Sequence, residues 1–166
     1  MNVKAQQQAN SPDHNFANQL LASKDFFERS TRVLEEADSG FRPNEGVMTV
    51  AQQVAHTAVT LDWFVGGARP EGFDLDFEKY AKEAEKVVSL AAARKMLEKA
   101  FADAIQFLQS KTAAELASPL PEGPVMAGQP VSNIVWGMVE HTAHHRGALS
   151  VYSRLLGKVP PMPYGG

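Results

Sequence analysis

Apolar residues recur at helical spacing along most of the chain, and the strict alternation that marks a strand is hard to find. From Asn15 to Ala37, Leu20, Phe27 and Leu34 return every seven residues beside Phe26 and Val33, which predicts a long first helix broken by Gly40, Pro43 and Gly46. Thr49, with Gln52 three positions on, can cap a second helix that continues to Gly66 and Gly67. Its aliphatic stripe is Val50, Val54, Ala58, Leu61 and Val65, and Pro70 to Asp76 reads as a connection. A third helical region comes in two pieces. The first, Phe77 to Val88, is mixed in charge; the second opens near Ser89 and sets Leu97, Phe101, Ala104, Ile105 and Leu108 on one face. Proline and glycine make Ser110 to Pro130 a loop with a short turn at Ala113 to Ala117. Pro130 suits the first turn of a last helix running to Leu156, ended by Gly157 and the prolines at 160, 161 and 163. Four long helices in 166 residues predict an all-α protein, a four-helix bundle with short extra helical turns in its connections. Residues 1–13, with Gln6, Gln7 and Gln8 in a row, are expected to be a flexible arm, and residues 14–166 a single domain.

Composition narrows the function. Sixteen Lys and Arg against nineteen Asp and Glu give a net charge of −3, with no basic stripe for nucleic acid to bind. At 44% hydrophobic and 21% charged residues the chain is not a disordered one. The polar start lacks the apolar core of a signal peptide, and no apolar run approaches the roughly 20 residues that span a bilayer. A cytoplasmic protein with no membrane partner is therefore expected. With no cysteine, the chain has neither disulfides, nor thiolate ligands, nor a thiol nucleophile of its own.

The chemistry concentrates in the last helix, at Glu140-His141-Thr142-Ala143-His144-His145-Arg146-Gly147. Residues four apart on a helix share a face, so His141 and His145 can grip one ion, inside the stripe of Val131, Ile134, Met138, Leu149, Tyr152 and Leu156. His144 falls toward the edge of that stripe. As core residues the pair would need partners for four ring nitrogens among aliphatic groups, whereas a metal satisfies both rings at once. A further ligand is needed. His56, on the side of the second helix shared by Val59, Thr60 and Trp63, either lines a cleft or is solvated, and His14 is expected to be exposed. Asp62 can act as a base only if the fold turns it inward, and it reads more readily as a surface residue. Glu140 precedes His141 instead of following it, so no zinc-protease pattern is present, and there is no G-x-S-x-G elbow.

Val50-Ala51-Gln52-Gln53-Val54-Ala55-His56 with Leu61-Asp62-Trp63-Phe64, the block His141-x-x-His144-His145-Arg146-Gly147-Ala148-Leu149, and Leu155-Leu156-Gly157-Lys158-Val159-Pro160-Pro161 together resemble the DinB-like (DinB/YfiT) superfamily. The resemblance implies a four-helix bundle that binds a divalent metal through His56, His141 and His145, with His144 left as a neighbour with a hydrogen-bonding role; zinc or nickel is the expected ion. It also implies homodimers and, in some members, thiol-dependent transfer or isomerisation with low-molecular-weight thiols. The leading expectation is a metal-dependent transferase-like enzyme with a thiol cosubstrate and a small-molecule electrophile, its catalytic residues unassigned. The alternatives are a non-catalytic metal-binding stress-response module and a metal-dependent hydrolase. Arg146 either anchors a carboxylate of the cosubstrate or holds a neighbouring helix; Trp63, Phe64, Trp136 and Tyr152 read as core or interface packing, and Tyr164 as the residue that docks the C-terminus. Val59 and Trp63, opposite the aliphatic stripe of their helix, are the surface on which a homodimer is expected to form.

Overall fold

Thr49 and Gln52 do what their spacing predicts. The Thr49 amide donates to Gln52 Oε1 at 2.9 Å, the Gln52 amide donates to Thr49 Oγ1 at 3.3 Å, and helix α2 (Val50–Gly67) follows. Side-chain caps also open α3 (Phe77–Glu85) at Asp76, α4 (Leu90–Gln109) at Ser89 and the short α5 (Ala113–Ala117) at Thr112. Helix α1 spans Pro12–Thr31, and α6, entered through a 3₁₀ turn at Val131–Asn133, spans Ile134–Leu155. These elements come from a computed structural model that describes the backbone of residues 12–164 and the side chains of residues 15–164. Most of the expected arm, residues 1–11, and the His14 side chain lie outside the described residues. Among the described residues there is no β-strand.

The first helix stops six residues earlier than its periodicity predicts, for reasons that lie far along the chain. Arg94 Nη2 donates to the carbonyls of Thr31 (2.9 Å) and Leu34 (3.1 Å), taking acceptors that a continuing helix would use. The Glu35 amide donates to Asp38 Oδ2 at 2.7 Å, forming a 3₁₀ turn over Glu36–Asp38, and Lys158 in the C-terminal tail reaches both Glu35 and Asp38. Leu34 remains buried, so the heptad spacing survives as burial after the helix has ended.

The same contacts set the topology. Lys158 joins the C-terminal ends of α1 and α6, which makes that pair parallel, while Arg94 near the start of α4 meets the end of α1, which makes α1 and α4 antiparallel. Gln53 lies beside Tyr152, and Phe64 beside Gly137, so α2 runs against α6. The packed neighbours are α1 with α4 and α6, and α2 with α4 and α6. Phe27, Leu61, Phe101, Leu108, Ile134 and Met138 fill the core between them.

Two details bear on the site. A Cβ at Gly137 would stand 2.5 Å from ring carbons of Phe64, so this glycine permits the close approach of α6 to α2. Gly137→Ala should therefore destabilise the fold by about 1–3 kcal/mol, the range for overpacking, as read by urea denaturation. The other detail concerns the expected dimer face. Val59 is buried, and Trp63 packs against Phe73 and Phe77 while its indole N–H donates to the Asp74 carbonyl at 2.7 Å. The connection after α2 and the start of α3 thus cover part of the expected dimer surface within one chain, leaving Trp63 half-buried. Among the described residues, no helix is long and apolar enough to cross a membrane.

Candidate metal centre

His56 projects from the middle of α2, and His141 and His145 from successive turns of α6. His141 Nε2 lies 3.2 Å from His56 Nε2 and 3.2 Å from His145 Nε2, and the three ligand atoms fall within 4.8 Å of one another. These are the three residues that the resemblance implied, and no Asp or Glu joins them among the described residues. His145 is buried, and His56 and His141 are half-buried.

Gln53, one turn before His56, was not singled out as functional from the sequence, yet it orients the site. His145 Nδ1 is paired with Gln53 Oε1 in a short hydrogen bond. The carbonyl oxygen can only accept, so the proton sits on Nδ1 and the Nε2 lone pair is free to face the cluster. The Gln53 amide in turn donates to Tyr152 Oη at 3.3 Å, and Tyr152 donates to the Met48 carbonyl at 3.1 Å. A buried glutamine three residues before a candidate ligand, on the same helix face, is the signal that could have revealed it.

Electrostatics keep the rings neutral. Burial, then the neighbouring histidines, push His145 down to about 3 and His141 down to about 4; burial and His144 also lower His56. A histidine buried neutral gives up proton affinity on folding, so below about 6.5 the unfolded chain binds more protons than the folded one. The stability of metal-free protein should therefore fall as pH drops from 7 to 5, by up to about 1.4 kcal/mol per pH unit for each such histidine. Thermal unfolding across that range checks it, with His141→Gln expected to flatten the profile.

The donor set fits a metal. An ion bonded to imidazole nitrogens at about 2.0–2.1 Å with tetrahedral angles holds them about 3.3 Å apart, close to the observed 3.2 Å. Neutral imidazole suits zinc, nickel, copper and iron. The three side chains come from two helices that are themselves pinned by Gly137 and the Gln53 chain.

The other candidates sit elsewhere. His144 is exposed, its ring 4.9 Å from that of His145. Asp62 is exposed, as a surface residue would be, at the edge of a groove between α2 and α4, where partial desolvation and then Asp103 raise its pKa. Arg146 turns toward α1 and the tail, with its guanidinium over the rings of Phe26 and Tyr164 and Nη2 donating to Tyr164 Oη at 3.2 Å. Tyr164, as expected, docks the C-terminal tail, its ring edge-on to Phe26 at 5.0 Å.

Helices that surround three converging imidazoles define a histidine-centred bundle. The chain belongs to the DinB superfamily, whose sequence profile matches residues 19–149, a span that contains all three histidines. The fold is also that of a solved structure described as "YfiT from Bacillus subtilis is a probable metal-dependent hydrolase with an unusual four-helix bundle topology". The likeness has a TM-score of 0.68 at 15% sequence identity over 88% of each chain. Curated proteins give no significant sequence match.

Proposed function

We propose that His56, His141 and His145 hold one divalent metal ion, zinc or nickel, and that the protein is an enzyme joining a low-molecular-weight thiol to a small electrophile. The observation that carries this reading is the convergence of the three Nε2 atoms, with His145 held in the tautomer that leaves its lone pair free. When bound, such an ion supplies Lewis acidity, which favours the deprotonated form of a thiol or water. The protein's own part is to present three uncharged donors, so that the ion's charge is not neutralised, and to hold His145 through Gln53, Tyr152 and Met48. A thiol is favoured over water because no carboxylate base joins the cluster among the described residues; as the sequence has no cysteine, the sulfur would arrive with a cosubstrate.

Hydrolysis is the second reading, supported by the structural likeness to YfiT and the words used of that protein. The deciding experiment sets metal-loaded protein against a panel of small thiols and electrophiles, with metal-stripped protein as control. Conjugation that needs both metal and thiol is the expected result. Turnover without thiol moves the assignment to hydrolysis, and a bound metal that takes up no thiol assigns the ion a structural role. Homodimerisation belongs to the same proposal, with the exposed Trp136, Val151 and Leu155 of α6 in place of the partly covered α2 face. Light scattering at micromolar concentration should give a mass above the 18.1 kDa of one chain.

A further inference from the structure

A second polar cluster lies on the opposite flank of α6. Thr142 and Arg146 each follow a histidine of the metal centre by one residue, so they point about 100° around the helix from it, toward α1 and the C-terminal tail. There they line a cavity of about 310 Å³ whose remaining wall includes Gln19, Ala22, Ser23 and Phe26 of α1, Val139 of α6 and Tyr164 of the tail. That volume is at the small end of pockets that take organic ligands.

Two donors in this cavity lack partners. Thr142 is 1% exposed, and its hydroxyl makes no hydrogen bond. Other helical hydroxyls of this chain return a bond to the carbonyl one turn back: Thr31 to Phe27, Thr57 to Gln53 and Ser153 to Leu149. Thr142 does not. Arg146 Nη1 is likewise buried without a partner, and among the described residues no carboxylate pairs with this guanidinium. A shielded cation and a shielded hydroxyl are both costly unless something accepts from them. Phe26 and Tyr164, with ring centroids 5.7 and 5.5 Å from the guanidinium, hold the cation in place without satisfying Nη1.

We propose that this cavity binds a small organic carboxylate with an aromatic or branched apolar body, one oxygen accepting from Arg146 Nη1 and the other from the Thr142 hydroxyl. Two free donors one helical turn apart match the two oxygens of a carboxylate, and Ala22, Phe26 and Val139 offer apolar surface to the body of the ligand. The site is separate from the histidine cluster and does not depend on the metal reading.

Calorimetric titration of the full chain with benzoate, phenylacetate and isovalerate tests this, with benzamide and inorganic phosphate as controls. At least one carboxylate should bind in the submillimolar range, with benzamide and phosphate more than tenfold weaker. Arg146→Gln and Thr142→Val should each weaken carboxylate binding, the former by more than tenfold. Thr142→Val carries a second readout: it removes an unpartnered buried hydroxyl, so the ligand-free variant should unfold at the same temperature as the parent or higher, whereas a structural role for that hydroxyl would lower the midpoint. Binding should survive chelation of metal and persist in His145→Ala. The proposal is overturned if no carboxylate binds, if benzamide binds as well, if both substitutions leave affinity unchanged, or if His145→Ala or chelation abolishes binding, which would put the carboxylate at the metal.

Discussion

Purified His145→Ala protein should emerge almost free of metal, its affinity for zinc or nickel reduced by more than about 100-fold while its helix content is preserved. The size of the loss follows from the position of this ring. His145 supplies one of three donors, it is the most enclosed of them, and its Nε2 is the one whose tautomer is fixed by a hydrogen bond on the other side of the ring. Loss of an outer partner alone costs roughly 10–100-fold in metal affinity, so loss of the donor itself should exceed that. Gln53→Leu, which removes the partner and keeps the ligand, should fall within that range, and His144→Ala should change metal content little. Elemental analysis and competition with a chromophoric chelator read all three. Stoichiometric metal in each of the alanine variants at 56, 141 and 145 would falsify the assignment. Because burial lowers the proton affinity of the rings, acid should weaken metal binding only well below the reference value of about 6.5.

The second large effect lies away from the site. Phe101→Ala in α4 should destabilise the protein by about 3–5 kcal/mol, a large share of the 5–15 kcal/mol that typically separates folded from unfolded states. Phe101 has no exposed surface and belongs to the cluster that joins α1, α2 and α4, so the deleted ring leaves a cavity that rigid helices close only in part. Val88, 77% exposed between α3 and α4, is the control, and its alanine variant should fall within about 0.5 kcal/mol of the parent. Urea denaturation with a shared m-value separates the two.

Helix positions, their caps and the His141–His145 pair were legible in the sequence because each depends on residues within one turn of the chain: Thr49 with Gln52, Ser89 with the amide of Ala92, and the four-residue histidine spacing. His56 needed the family resemblance, since its spacing alone left it facing either a cleft or solvent. What the sequence did not show is what distant segments impose. The end of α1 is set by Arg94 and Lys158, the partial cover of Trp63 by a loop that folds back over α2, and the orientation of Arg146 by rings from the first helix and the tail. Gln53 was hidden for the same reason: its partners, His145 and Tyr152, lie 92 and 99 residues away.

The separation of His56 from His141, 85 residues along the chain, also has a kinetic meaning. An ion that meets the chain before it has folded finds at most the local pair at 141 and 145, because the third donor arrives only after a long loop has closed, and long-range closure is the slow part of assembling a helical protein. Uptake during refolding should then run in two phases: a fast, weak and easily chelated association whose rate depends on metal concentration, followed by a tight phase whose rate equals that of chain folding and does not. Resistance to a chelator would thus time the moment at which α2 and α6 come together.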